Sequence, residues 1–293
     1  MGGIGEYFQP ESDRADSPHL HLSINASARS LLLTVLAELV LPGGAPVWTA
    51  ALLYVLTGLG LEERTARQAI ARAAEAGWIA SERQGRAARW VITDTGKELT
   101  EEITRRVLSL NALPEVWDGD CLILLVAVPH ELKSVRKRLY SELGWAGFGN
   151  PMPGLWASPH VDRAGELHRL IHDLGLRESS IAFIGTTLTV GLTDDEIVRR
   201  AWNLDDVAYR YEHLIGTFEG LEPEPGDDLL FSYLVLAHEW RKFPGMDPQL
   251  PEDLLPNWIG RRATEMFVSL HGKWADAARD RWQEIVEATS PNT

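Results

Sequence analysis

The sequence predicts an α+β protein with an N-terminal winged helix-turn-helix, a central ferredoxin-like α/β domain and a helical C-terminal domain. Three observations carry this reading. Three helical segments between Ser27 and Ala76 are followed by two β-prone runs around a basic turn. Between Cys121 and Thr187 the pattern runs β-α-β…α-β. Beyond Thr193 only helical periodicity appears. The predicted boundaries are 1–25 for a disordered tail, 26–110 for the winged helix-turn-helix, 111–192 for the central domain and 193–293 for the helical domain.

The first domain turns on the segment Leu61–Ala76. On a helix, Leu61, Ala66, Ala69, Ile70 and Ala73 fall at i, i+3 and i+4 spacings and make one narrow apolar stripe. A stripe made mostly of alanine lets a helix lie close to its neighbours. Arg64, Arg67, Gln68 and Arg72 fall on another side, with Thr65 at its edge, so the outward face is basic and forked. Such a face suits guanine edges and phosphate oxygens. Gly77 stops this helix, and Trp78–Glu82 and Ala88–Ile92 flank the turn Arg83-Gln-Gly-Arg86, a β-hairpin that carries Arg83 and Arg86. Two apolar helices come first, Ala28–Leu41, which Ser27 can cap, and Trp48–Leu59. After the hairpin, Thr93-Asp-Thr-Gly-Lys-Glu reads as a cap for a helix to about Leu110. From Ser27 to Asp94 seven basic residues face six acidic ones, whereas the whole chain carries a formal charge of −14. The segment is therefore roughly neutral within an acidic chain, a weak concentration of positive charge where a DNA-facing surface would need it.

Asn111–Asp120 reads as a linker, Cys121–Val128 as a buried strand, His130–Leu143 as a helix, Gly154–Ser158 as a short strand, Asp162–Leu174 as a helix and Ser180–Thr187 as a closing strand. Asp194–Thr217, Asp227–Lys242 and Pro256 to about Ala288 then read as helices.

A length of 293 residues suggests two or three domains, and 45% hydrophobic with 24% charged residues is an ordinary globular composition. A pI near 5.1 excludes a nucleic-acid coat over the whole surface, so any DNA contact is local. The single cysteine, Cys121, excludes an intramolecular disulfide and fits a reducing cytoplasm. Met1–Ser23 lacks a signal-like apolar core, and no apolar run reaches membrane-spanning length, so the chain is read as soluble and cytoplasmic. Of eleven tryptophans, Trp202, Trp240, Trp258, Trp274 and Trp282 fall in the last third, where they suit a core or a pocket for a flat ligand.

The residues also carry a resemblance. Ser27-Ala-Arg-Ser-Leu31, Val47-Trp48, Leu59-Gly-Leu-Glu-Glu-Arg-Thr-Ala-Arg67, Gly77-Trp78, Gly85-Arg86, Thr93-Asp-Thr-Gly96, Trp117-Asp-Gly119, Gly147-Phe-Gly149, Pro153-Gly-Leu-Trp-Ala-Ser158, His238-Glu-Trp-Arg241, Asp247-Pro248 and Leu254-Leu-Pro256 occur in an order that resembles the PaaX family of transcriptional repressors of phenylacetate catabolism. The sequence departs from that pattern at Cys121 and at Gly245-Met246. The resemblance implies a homodimer on double-stranded operator DNA, repressing an aromatic or acyl-CoA catabolic operon. It also implies release by an aryl- or acyl-CoA thioester such as phenylacetyl-CoA, with residues 193–293 serving effector binding and dimerisation.

A CoA-type ligand needs cations for its phosphates and a slot for its acyl end. His238, Arg241 and Lys242 lie at one helix end beside Trp240, and Arg261 and Arg262 open the last helix, so these six are the candidate effector residues. The alternative places Trp240 in the core and pairs Arg241 with an acid such as Asp247. No phosphate loop, dinucleotide fingerprint, His-Glu-x-x-His or nucleophile elbow is present, so no catalytic residue, metal or cofactor is assigned. His168 and His172, at i, i+4, read as two solvent-facing helix residues rather than metal ligands. The enzyme-class alternative is a metal-dependent nuclease related to the ferredoxin-like nucleases of CRISPR systems. Those carry an acid at the end of the first strand, where this chain has Val128-Pro129-His130.

Overall fold

The structure, a computed structural model, describes residues 27–84, 87–110, 117–188 and 190–290. The predicted tail at 1–25, most of the linker after Leu110, and Arg86 at the hairpin turn lie outside the described residues. Arg83 is described in its backbone only.

Helix α1 (Ala28–Val35) starts where Ser27, in extended conformation, accepts a hydrogen bond from the Ser30 amide. It runs into a π-helical turn, Leu36–Val40, and a last α-turn, Leu41–Gly43. Strand β1 (Val47–Trp48) leads into α2 (Thr49–Gly58), then α3 (Glu63–Glu75), β2 (Ile79–Gln84), β3 (Ala87–Ile92) and α4 (Asp94–Ser109). The three strands form an antiparallel sheet of order β1-β3-β2. Strand β1 was not anticipated, because two residues carry no alternation to detect. Thr49 joins α2 to the sheet: its hydroxyl donates to the Ala88 carbonyl and accepts from the Trp90 indole. Thr93 ties the hairpin to α4, donating to the Gly77 and Trp78 carbonyls and accepting from the Gly96 amide.

The central segment contains β4 (Asp120–Val126), α5 (Lys133–Trp145), β5 (Gly149–Met152), β6 (Leu155–Ser158), α6 (Ala164–Asp173) and β7 (Ser180–Thr186). Its four strands are all antiparallel, in the order β5-β6-β4-β7. Leu122, Leu124, Val126 and Trp156 on one sheet face are buried with Leu139, Leu143 and Leu167 from the two helices. The opposite face carries Leu125 paired with Ile181 and Ile123 paired with Phe183. Where one short strand was expected before Ser158, a hairpin forms, with Gly154 at φ +79° in its turn. Burial, with Asp194 and Asp120 nearby, pushes the Cys121 thiol up to about 11, so it stays protonated and unreactive at neutral pH.

The expected helix Asp194–Thr217 is two helices, α7 (Asp194–Ala201) and α8 (Leu204–Phe218), separated at Trp202, whose backbone is extended. The break has a packing cause. The Trp202 indole donates to the Gly147 carbonyl, and its ring lies where a Cβ on Gly149 would be 2.5 Å away. The chain ends with α9 (Asp227–Trp240) and the long α10 (Ile259–Ala288).

Two compact units emerge. The described residues of one are 27–84, 87–109, 217–242 and 265–290, and those of the other are 110, 117–188, 190–216 and 243–264. The last third of the chain therefore contributes to both units rather than forming one consecutive block. In the first unit, Leu31, Leu32, Leu36, Leu52, Leu56, Leu234, Trp240, Trp274 and Trp282 are almost fully buried. In the second, Asp247 accepts from the Tyr211 hydroxyl, the Trp258 indole and the Gln249 amide, which fixes the loop before α10. No described helix is long and apolar enough to cross a membrane.

Candidate nucleic-acid interface

Helix α3 buries four of the five stripe residues that the spacing predicts; Leu61 precedes the helix and is half-buried. Ala66, Ala69, Ile70 and Ala73 are each at most 2% exposed, and α1 and α2 pack against them. Small side chains on that face bring the backbones close and leave no inward room for longer residues. The other face is therefore fixed in space. Arg64, Arg67, Gln68 and Arg72 are exposed, and Thr65 is half-buried at the edge, so all five lie on or beside one outward surface. Glu63, Arg64, Arg67 and Gln68 surround a shallow, open depression at Ala71, whose side chain is short. A base edge or methyl group meets this kind of surface in a major groove.

The basic face is not uniformly available. Arg67 donates through Nε (2.9 Å) and Nη2 (2.7 Å) to one carboxylate oxygen of Glu63, one helical turn earlier. Both side chains are more than half exposed, and an i, i+4 pair of this type contributes about 0.3–0.5 kcal/mol to the helix. Arg72 Nε donates to the Gln68 carbonyl at 3.3 Å. On the hairpin, Arg89 pairs across the strands with Glu82. Arg29 lies over the Trp78 ring at 4.3 Å, holding the start of α1 to the start of the hairpin. The approach of Arg83 and Arg86 to this surface lies outside what is described.

The candidate effector residues are placed differently. His238, Trp240 and Arg241 are at most 3% exposed and belong to the core of the first unit. Trp240 stacks on Phe267 with ring centroids 4.5 Å apart. Arg241 donates through Nη2 to Glu38 at 2.7 Å, rather than pairing with Asp247. Tyr233 donates to the other Glu38 oxygen at 2.6 Å, and His271 Nε2 lies 3.1 Å from it. Burial would raise the Glu38 carboxyl, but His271, Arg241 and Tyr233 outweigh it and hold the group well below the usual carboxylate range. Burial, with Lys242 and Arg241 nearby, keeps His238 neutral by pushing it well below its ordinary value. Lys242 is held by Glu239 at 2.8 Å. Arg261, in the second unit, pairs with Glu252 at 2.7 Å and donates to the Leu255 carbonyl, while Arg262 is exposed. The six residues are thus divided between the two units.

The Glu38 cluster is the feature that sequence reasoning missed. Its members are separated by as many as 233 residues, and the only local signal was an acid within the apolar pattern of the first helix. His168 and His172 are exposed on α6, and among the described residues no three His, Cys, Asp or Glu side chains converge as a metal site.

Comparison with known proteins is consistent along the chain. The PaaX-like protein family matches residues 27–96, the PaaX protein central Cas2-like domain matches residues 114–198, and the PaaX-like protein C-terminal domain matches residues 202–284. The chain belongs to the PaaX family. Among its relatives is the transcriptional repressor PaaX of Escherichia coli (strain K12), 29% identical over 272 residues, which span 89% of this chain and 84% of that protein. The uncharacterized protein Rv0674 from Mycobacterium tuberculosis shares the fold: the alignment covers 88% of this chain and 98% of that one, with a TM-score of 0.59 at 20% identity.

Proposed function

We propose that this chain is a cytoplasmic, DNA-binding transcriptional repressor, with residues 26–110 acting as a winged helix and α3 as its recognition helix. One observation carries the reading: Arg64, Arg67, Gln68 and Arg72 are exposed together on a helix whose opposite face is alanine, followed directly by a two-stranded hairpin. The repressor name of the E. coli relative points the same way. In this role α3 enters the major groove, where arginine reads guanine O6 and N7, and Arg83 and Arg86 meet the phosphate backbone. A regulator needs no catalytic group, and the metal-dependent nuclease reading is not favoured. The test is binding to a duplex selected from random sequences. Arg67→Ala is expected to lose about 1–3 kcal/mol on that duplex if Arg67 reads a guanine. Arg64→Ala and Arg67→Ala both binding like the native protein would refute the assignment.

One recognition helix offers too little contact for a specific operator, so a homodimer on an inverted repeat belongs to this reading, with half-sites about 34 Å or a multiple apart. The outward face of the β4–β7 pair supports it, because Leu125, Ile181 and Phe183 leave an exposed apolar patch there. The reading also includes release from an aromatic or acyl-CoA catabolic operon by a CoA thioester such as phenylacetyl-CoA. The candidate contact in the first unit is Trp240–Lys242 with His238, and Arg261 and Arg262 are a separate candidate in the second. What supports the former is that Arg241 Nε and Nη1 are buried with no hydrogen-bond partner among the described residues, so an acceptor group would satisfy them. Linkage supplies the check. If phenylacetyl-CoA is the inducer, operator DNA weakens its binding by the same factor by which it weakens operator binding. Equal thioester affinity with and without operator would remove it as inducer.

A further inference from the structure

Glu63 is the one acid among the side chains around the α3 depression, and acids are repelled by a phosphate surface. Its geometry toward Arg67 is specific. Both Nε and Nη2 donate to the same Glu63 oxygen, so that edge of the guanidinium is occupied. The end of the fork, Nη1 with Nη2, is the edge left for a second bidentate contact. A guanine approached end-on by that edge accepts at O6 and N7 from Nη1 and Nη2 while Glu63 keeps its grip on Nε. On a base pair without those acceptors the end of the fork is unmatched, and the pairing with Glu63 keeps Arg67 from turning to a phosphate or another base instead.

We propose that Glu63 is a specificity-determining residue that positions Arg67 for guanine and penalises every site lacking it. This rests on the recognition-helix reading above. It assigns to the pair a role in discrimination rather than affinity, since one carboxylate offsets one guanidinium in the overall attraction to DNA. An ordinary helix-stabilising pair would change the melting of α3 and leave the choice of DNA unaltered.

The experiment measures full-length protein and its Glu63→Gln variant on two duplexes: one selected from a random-core library with the native protein, and a scrambled duplex of equal composition. Salt titrations accompany both, and Arg64→Ala and Arg67→Ala are the references. For Glu63→Gln, binding to scrambled duplex should tighten, and the ratio of specific to non-specific affinity should fall by about 5- to 10-fold, the lower end of the discrimination carried by one base contact. The salt dependence on scrambled duplex should steepen by up to about one unit. If either reference weakens binding while Glu63→Gln leaves the ratio within twofold of native, this inference is overturned and the recognition helix stands. If Arg64→Ala and Arg67→Ala both bind the two duplexes like the native protein, the recognition helix itself is wrong, and this inference falls with it.

Discussion

Replacing Glu38 by alanine is expected to destabilise the first unit by about 3–5 kcal/mol, the usual consequence of removing one partner of a buried ion pair. The side chains of Arg241 and Glu38 are only 3% and 13% exposed, so the guanidinium cannot turn to water when its acceptor is deleted. Tyr233 loses its acceptor as well. A loss of this size is a large share of the 5–15 kcal/mol that typically holds a domain folded. Urea denaturation followed by far-UV circular dichroism measures it. The pH dependence follows from the depressed carboxyl. The folded group declines a proton that the unfolded group accepts near 4.5, so its stabilisation is fully present above that pH. It is lost progressively as pH falls below 4.5 toward the folded value. Glu38→Gln should flatten the fall in stability below pH 4.5 by the slope that belongs to one proton. An unchanged acid slope would show that Glu38 titrates normally and is not held by the cluster.

The second large effect is at Trp240. Its ring is fully buried and stacked on Phe267 at an interplanar angle of 8°, so Trp240→Ala leaves a cavity that the surrounding helices cannot close. The expected cost is about 3–5 kcal/mol, and Trp240→Phe, which keeps a ring against Phe267, should recover more than half of it. A thermal or urea midpoint close to the native one for Trp240→Ala would mean that this tryptophan is not a core residue. It would then be free to serve a ligand alone. Both substitutions act on α9, the helix that also presents His238 and Arg241, so thioester measurements on these residues need stability measured in parallel.

What the sequence made legible follows from range. The α3 stripe at Ala66, Ala69, Ile70 and Ala73 is a property of one helix, and periodicity alone separates it from Arg64, Arg67 and Arg72. Caps at Ser27 and Thr93 are legible for the same reason, since donor and acceptor are three residues apart. The break at Trp202 is not local. It depends on Gly147 and Gly149, more than fifty residues earlier, and the helical pattern on either side of it is uninterrupted. Arg241 shows the same limit. A sequence neighbour such as Asp247 looked adequate as its acid, but the fold gives Asp247 to Tyr211 and Trp258 and brings Glu38 to Arg241 from 203 residues away. The Gly147-Phe-Gly149 motif is visible in the sequence, whereas its service as the seat of the Trp202 ring depends on tertiary packing.

The central claim is that the outward face of α3 reads base pairs, and a double-mutant cycle across the protein and the DNA tests it most directly. Native protein, Arg67→Ala and Arg64→Ala are each titrated against the selected duplex and against duplexes in which single G·C pairs of one half-site are replaced by A·T. At one position the native protein should lose about 1–3 kcal/mol on the replacement while Arg67→Ala loses almost nothing, which gives a coupling energy of that size. If every replacement costs the native protein, Arg67→Ala and Arg64→Ala the same, neither arginine contacts a base and the recognition-helix account is wrong.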